Sequence, residues 1–216
     1  MERKRVEVTR QQKALLPGYR LLFNKKALRD ALPDTIGFAN INEDAESTVE
    51  GVLYEIPDEY LPRLDESERY PDHYDRIQVT VNTEQGPVRC WTYQAQVDKT
   101  ATGLVPSRNY LNHILAGKDF LSQQYYEALD KSQTYRGRCA CCHKENEILF
   151  LKESGEMHVL CQPCLEARTI WGDVRGRPLT VVETETIMRE LVLTGRGFPS
   201  VQALVSEAVA LKLIDP

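Results

Sequence analysis

The chain has 216 residues, 42% hydrophobic and 27% charged, which suffices for one sizeable core and excludes a globally disordered chain. A net charge of −5, with the acids concentrated before residue 130, gives the front two-thirds no electrostatic basis for binding nucleic acid or an anionic membrane. No apolar run is long enough to cross a bilayer and none follows the charges of M-E-R-K-R-V-E-V, so the sequence reads as cytoplasmic and without a membrane partner.

Short apolar runs bounded by turn residues read as strands in the first part of the chain: G-Y-R-L-L-F-N-K, I-G-F-A-N-I, V-E-G-V-L-Y-E-I, R-I-Q-V-T-V and V-R-C-W-T-Y-Q-A. The last two flank N-T-E-Q-G-P, a polar loop with Gly and Pro, and read as an antiparallel hairpin. Helices come next. Ser107 can cap R-N-Y-L-N-H-I-L-A, Gly117 suits its exit, and Phe120 to Leu129 is amphipathic. Together these predict an α+β domain over residues 1–130. A polar linker, K-S-Q-T-Y-R-G-R, then opens a cysteine-bearing segment at 131–177, and a strand-helix-helix tail occupies 178–216.

Between a short helix and a strand, L-P-R-L-D-E-S-E-R-Y-P-D-H-Y-D-R carries five carboxylates. Asp58 can cap the helix and Pro62 fits its first turn, so Leu61 and Leu64 face inward and Glu68 falls at or just past its C-terminal end. A carboxylate there meets the negative pole of the helix and, once partly buried, is disfavoured as an anion; both effects predict a raised pKa suited to a general base and acid. The plain alternative is that Asp65, Glu66, Glu68, Asp72 and Asp75 form a wet turn. Nearby His73 is a weaker candidate for a site role. His113 reads as a surface or packing histidine, and Cys90, inside a strand, as a small apolar residue.

Taken in order, G-Y-R-L-L-F-N-K, G-F-A-N-I, V-E-G-V-L-Y-E-I, L-D-E-S-E, Y-D-R-I-Q-V, T-Y-Q-A, V-P-S-R-N-Y-L-N-H-I-L-A-G and Q-Y-Y-E-A-L resemble the gamma-glutamylcyclotransferase-like (AIG2-like) family. The resemblance implies a small mixed β-barrel flanked by helices, with a substrate cavity at one end. It implies Glu68, the last acid of L-D-x-x-E, as the catalytic glutamate, and Tyr125 as a cavity-lining, substrate-binding residue. The chemistry implied is attack of a γ-glutamyl amide by its own α-amine, releasing 5-oxoproline and an amine or amino acid. Family members begin with a strand leading into a Tyr-Gly-Ser-Asn loop that holds the glutamyl end. This sequence contains no such loop, and M-E-R-K-R-V resembles the segment immediately after the loop in family members. A start assigned too late and a true loss of the first strand both account for that, and either way the site in the chain as written is expected to be incomplete.

R-C-A-C-C-H-K and V-L-C-Q-P-C-L set Cys139, Cys142, Cys161 and Cys164 in a C-x2-C, eighteen-residue, C-x2-C spacing. Two knuckles, each aiming two thiolates at one point, predict a tetrahedral and therefore structural zinc in a zinc ribbon, with I-L-F-L-K and M-H-V-L as its hairpin. Such a segment is too small for a core of its own. Cys141 and His143 are alternative ligands outside the paired spacing. A redox pair is disfavoured because neither C-x-x-C opens a helix in a thioredoxin-like context.

The tail from L-T-V-V-E to the end resembles a ribbon-helix-helix unit. The resemblance implies a strand, a helix with Ile187, Leu191 and Val192 inward, a turn at Gly197 to Ser200, and a helix with Leu204, Val205, Ala208 and Val209 inward. It implies a homodimer. Contact with DNA is disfavoured, since only Arg175 and Arg177 are placed to meet phosphates; an ordinary helical hairpin is the plain alternative. Two functions therefore stand: a zinc-bearing gamma-glutamylcyclotransferase-like enzyme acting on a small γ-glutamyl substrate, or an inactive ligand-sensing or interaction module built from the same parts.

Overall fold

A computed structural model describes residues 6–28, 32–194 and 200–214. The chain divides into two compact units, Met1–Pro106 with Tyr110–Gln133, and Ser107–Asn109 with Thr134–Pro216.

In the first unit, β1 (Arg10–Lys26) and β2 (Gly37–Glu55) run antiparallel along most of their length, from Arg10↔Glu55 to Lys26↔Gly37. Their register shifts between Pro17 and Tyr19, where Pro17 has no N–H to give and Gly18 adopts φ 78, a left-handed conformation open to glycine. Two strands were expected on the partner side, I-G-F-A-N-I and V-E-G-V-L-Y-E-I. Instead the acidic residues between them continue as strand, with Asp44 accepting from Ser47 Oγ at 2.9 Å across the irregularity.

The expected hairpin is β3 (Tyr74–Thr83) with β4 (Gly86–Ala95), closed by Glu84 and Gln85. Strand order is β2-β1-β3-β4, every ladder antiparallel, and β1 meets β3 at Leu15↔Asn82. The sheet is not closed, which corrects the expectation of a mixed barrel. Toward β2, the Ala95 amide of β4 donates to Asn40 Oδ1 at 2.7 Å and Gln94 Nε2 to the Ile41 carbonyl at 3.0 Å, so side-chain amides stand where a barrel would need a backbone ladder.

Period-two alternation puts Ala14 and Leu16 of β1 and Val79 and Val81 of β3 on one face, where they form a core with Ile41. A second cluster joins Leu111 and Leu115 of α2 (Arg108–Leu115) to Leu129 of α3 (Gln123–Asp130), with Leu21 and Phe23 of β1 against it. Each fully buried leucine contributes about 1.5–3 kcal/mol. Ser122 caps α3, its Oγ accepting from the Tyr125 amide at 3.2 Å.

Helix α1 (Leu61–Glu68) comes after a short 3-10 turn at Asp58–Tyr60, takes Pro62 in its first turn, and buries Leu64. It ends as expected at Glu68, because Arg69 turns left-handed at φ 54 and the Tyr70 amide returns to the Asp65 carbonyl at 2.9 Å.

In the second unit, β5 (Arg136–Arg138), β6 (Glu145–Glu153) and β7 (Glu156–Cys161) form an antiparallel sheet. Ser154 and Gly155, both at positive φ, make the two-residue turn of the β6–β7 hairpin. Strand β7 runs directly into α4 (Gln162–Arg175), and α5 (Val181–Leu193) and α6 (Val201–Ala210) complete the unit. One core contains Ile148 and Leu160 of the hairpin, Trp171 of α4, Leu191 of α5 and Ala208 of α6, so the cysteine hairpin is not left to fold without apolar partners.

The tail departs from the ribbon-helix-helix expectation. Where L-T-V-V-E was read as a strand, Thr180 caps α5 in a reciprocal capping box with Glu183. Two orphan amides satisfied locally outweigh the β preference of Val181 and Val182. Ile187 and Leu191 are buried as expected, but Val192 is 54% exposed. Ser200 caps α6, with Ala208 buried and Leu204 and Val205 against the core; Gly197, Phe198 and Pro199 of the expected turn lie outside the described residues. Among the described residues no helix is long and apolar enough to cross a membrane.

Candidate functional site

The carboxylates of the acidic run separate into three kinds. Glu66, Asp72 and Asp75 are exposed. Asp65 is engaged: Tyr93 Oη donates to its Oδ1 at 2.7 Å and Arg76 Nη1 to its Oδ2 at 2.7 Å. The Arg76 guanidinium lies over the rings of Tyr70 and Trp91, at 5.4 and 5.1 Å. Burial, then the bond to Asp65, pushes the Tyr93 hydroxyl well above its ordinary range. Asp65 therefore braces α1 against the hairpin.

Glu68 is half-buried and lines a half-open cavity of 770 Å³ bordered by α1, the strands of the sheet and the β3–β4 hairpin. The cavity's floor is the first unit's own core, Ala14, Leu16, Ile41, Val79 and Val81. Cys90 also lines it, its thiol pushed up by burial, in keeping with an inert residue. The Glu68 carboxylate acts electrostatically on Lys25, Tyr74, Tyr93 and Tyr110.

Lys25 is 2% exposed. Its Nζ donates to the Lys26 carbonyl at 2.8 Å and sits 5.5 Å from the centre of the Tyr74 ring. Burial lowers its pKa, Lys99 and Lys26 add to that, and Glu68 opposes them. Tyr74 donates to the Ala39 carbonyl at 3.2 Å while Tyr110 Oη accepts from the Ala39 amide at 3.1 Å, so both rings are clipped to one residue of β2. His73 stands beside this group. Its Nδ1 is buried without a hydrogen-bond partner, and burial, then Lys25, Lys99 and Arg69, keep the ring neutral to lower pH than usual, against a weaker pull from Asp72.

The sequence reading missed Lys25 and Asn40. No period-two signal points to the lysine, because a register shift between Leu22 and Lys25 breaks the alternation of Leu21 and Phe23. Tyr125 is not among the residues lining the Glu68 cavity. It packs with Leu111, Leu115 and Leu129, close to Glu50. Glu50 accepts from the Ser122 amide and hydroxyl, both at 2.6 Å, and pairs with Lys13 at 3.1 Å. Burial works against that carboxylate, but the Ser122 bonds and Lys13 outweigh it and hold its pKa low. His113 is exposed.

With this geometry in place, the comparisons with known proteins identify one segment. Residues 48–129 match the AIG2-like family. The AIG2-like segment contains α1, Glu68, the β3–β4 hairpin, Tyr110 and Tyr125. A Drosophila melanogaster protein named "Putative gamma-glutamylcyclotransferase CG2811" is 46% identical over 46 residues, covering 21% of this chain and 29% of that relative. The chain thus spans under a third of that relative's length. A solved structure described as gamma-glutamyl cyclotransferase is 23% identical, with a TM-score of 0.51, over 62% of this chain and 82% of that one. Its likeness is one of fold: mixed α and β with antiparallel sheets. The Homo sapiens protein loc79017, described as uncharacterized, is 26% identical over 57% of this chain and 74% of its own, with a TM-score of 0.48.

In the second unit, one thiol each from Cys139, Cys142, Cys161 and Cys164 lies within 4.8 Å of the others. The first knuckle is held by the Cys139 amide on the Lys144 carbonyl and the His143 amide on the Cys139 carbonyl, both at 3.0 Å. The second pair opens a helix: Cys161 is the N-cap of α4 and Cys164 lies in its first turn. Its surroundings are nonetheless three further cysteines. The two alternative ligands stand outside the four-sulfur group. Cys141 Sγ donates to the Val181 carbonyl at 3.8 Å, and His143 Nε2 faces Glu185 at 3.4 Å.

Thiol hydrogens of Cys141, Cys142, Cys161 and Cys164 converge on Cys139 and favour its thiolate, which in turn pushes Cys164 strongly upward. Four converging sulfurs cannot all ionise without a cation, whereas a divalent ion takes them all as thiolates. The donor set is thus compatible with zinc. Arg175 and Arg177, the expected phosphate contacts, both pair with Glu183, whose pKa is held down at about 2 chiefly by Arg177.

Proposed function

We propose that the first unit is a gamma-glutamylcyclotransferase-like catalyst in which Glu68 is the general base and acid, and that the second unit holds a structural zinc on Cys139, Cys142, Cys161 and Cys164. The observation that carries the first part is the position of Glu68, at the end of α1 and on the wall of a 770 Å³ cavity, within the segment that matches the AIG2-like family.

The reaction asks for little machinery. The nucleophile and the electrophile belong to one molecule, so proximity is supplied by the substrate. Glu68 takes a proton from the α-ammonium. The freed amine attacks the γ-carbonyl carbon, closing a five-membered ring. The ring nitrogen gives up its second proton as the C–N bond of the amide breaks, and the departing nitrogen takes both protons, relayed by Glu68, giving 5-oxoproline and an ammonium. Lys25, Tyr74, Tyr93 and Tyr110 are the groups on which the Glu68 carboxylate acts electrostatically. Bound zinc would supply folding energy to the second unit and no step of this reaction.

The test is release of 5-oxoproline from γ-glutamyl amides, compared between the wild type and Glu68→Gln. A loss of roughly 10²-fold or more is expected. Equal turnover by the two proteins removes Glu68 from the mechanism, and ligand binding without turnover by the wild type favours a sensing module.

A further inference from the structure

Lys25 is buried under the segment that follows β4. Its backbone bridges to Thr100, the Ala101 amide donates to the Asn24 carbonyl at 2.9 Å, and Lys26 Nζ donates to the Asp98 carbonyl at 3.0 Å. An ammonium carries three N–H donors. Among the described residues the Lys26 carbonyl is its one hydrogen-bond acceptor, and it forms no ion pair. Desolvating such a group destabilises a fold unless its charge is answered, and a methionine would fill similar space with no charge to desolvate. The charge therefore contributes little to holding this corner together.

The groups around it come from several elements. Lys26 lies on β1, and Lys99, paired with Asp98 at 2.6 Å, lies in the covering segment; both repel the ammonium. The turn after α1 brings His73, on which Lys25 and Arg69 both act and whose amide donates to the Arg69 carbonyl at 2.9 Å. That bond holds the residue after Glu68 against the residue before Tyr74. The Tyr74 ring lies 5.5 Å from Nζ, and the Tyr74 and Tyr110 hydroxyls are both engaged at Ala39. Glu68 is the acid that pulls on the ammonium. Lys25 is not among the residues lining the cavity, so its effect on a ligand there passes through Glu68. Resting on the cyclisation reading, we infer that Lys25 is a positioning residue: its fixed, buried charge faces the Glu68 carboxylate and sets the pH range in which that carboxylate works. A positive charge facing a carboxylate favours its anion, the form that takes the α-ammonium proton.

The experiment follows 5-oxoproline release against pH for the full chain and for Lys25→Met and Lys25→Arg. The substrate is whichever of the γ-glutamyl amides of glycine, alanine and ethylamine the wild type cleaves fastest. Expected in Lys25→Met is an acid limb of the kcat/KM profile moved up by about one pH unit, a loss of about tenfold along that limb. Lys25→Arg, which restores the charge, returns the limb to its wild-type place. A lysine that only pins the segment above it would change the urea midpoint and leave the limb where it was, so an unmoved limb in Lys25→Met overturns the inference. A second measurement needs neither turnover nor a folded Lys25→Met: the Lys25 side chain is titrated by NMR in the wild type and in Glu68→Gln. Without the facing carboxylate the ammonium should release its proton at lower pH. Equal titration in the two proteins also overturns the inference. If no γ-glutamyl amide is cleaved, the cyclisation reading fails, and a lower Lys25 titration in Glu68→Gln still upholds the coupling of the two charges.

Discussion

Replacing Asp65 by Asn separates the acid that holds the first unit together from the acid proposed to do chemistry. The Asp65 carboxylate accepts one bond from a hydroxyl and one from a guanidinium, both at 2.7 Å, with its side chain 22% exposed and that of Arg76 23% exposed. A hydrogen bond to a charged group contributes about 1.5–3 kcal/mol, and an amide retains one acceptor while turning an N–H₂ toward a donor. The ion pair is mostly buried, so solvent screening reduces this only modestly, and a loss of about 2 kcal/mol is expected. With an m-value near 2 kcal/mol/M this moves the urea midpoint of the first unit down by roughly 1 M. A double-mutant cycle with Tyr93→Phe should return a coupling of about 1 kcal/mol, because the two changes act on the same hydrogen bond. Turnover at low temperature, where Asp65→Asn remains folded, should stay within a few-fold of wild type, while Glu68→Gln shows the opposite pattern: normal stability and lost turnover. Asp65→Asn with an unchanged midpoint and abolished turnover would refute the division of roles and move the chemistry to Asp65.

Chelation tests the second unit: removing one zinc per chain should unfold it, seen as a red shift of the buried Trp171 emission and loss of near-UV dichroism, and Cys139→Ser should prevent reloading while Cys141→Ser should not. A chain that purifies without metal and is unmoved by chelator would refute the site. Glu50→Gln should cost about 1–3 kcal/mol through the lost Ser122 and Lys13 bonds. Because the folded pKa of Glu50 lies below its ordinary 4.5, that stability is present above pH 4.5 and lost as pH falls through the folded pKa. The acid limb of the wild-type stability curve should therefore be steeper than that of Glu50→Gln, and parallel limbs would contradict it.

Much of the local structure was legible because it is decided locally. Pro62 in a first turn and inward Leu61 and Leu64 place α1 and put Glu68 at its end. The hairpin of β3 and β4 comes from alternation and a Gly-containing loop. The cysteine spacing leads to a four-sulfur cluster that the structure brings within 4.8 Å. Where the reading failed, two local preferences competed or a distant segment chose. Val181 and Val182 favour a strand, yet Thr180 and Glu183 satisfy helix amides on the spot. The residues between two apolar runs separated two expected strands, yet β2 continues through them past a register shift in its pairing with β1.

The order of residues along the chain was sufficient to determine the helix α1, the hairpin of β3 and β4, that four thiols share one point, and that Glu68 closes a helix. Only the tertiary structure decided that the sheet stays open, that Lys25 is buried beside Glu68, that Tyr125 packs near Glu50, and that the space around Glu68 is floored by the core. The physical reason is one of range: capping, turn chemistry and knuckle spacing act over a few residues, whereas burial and strand register depend on partners tens of residues away.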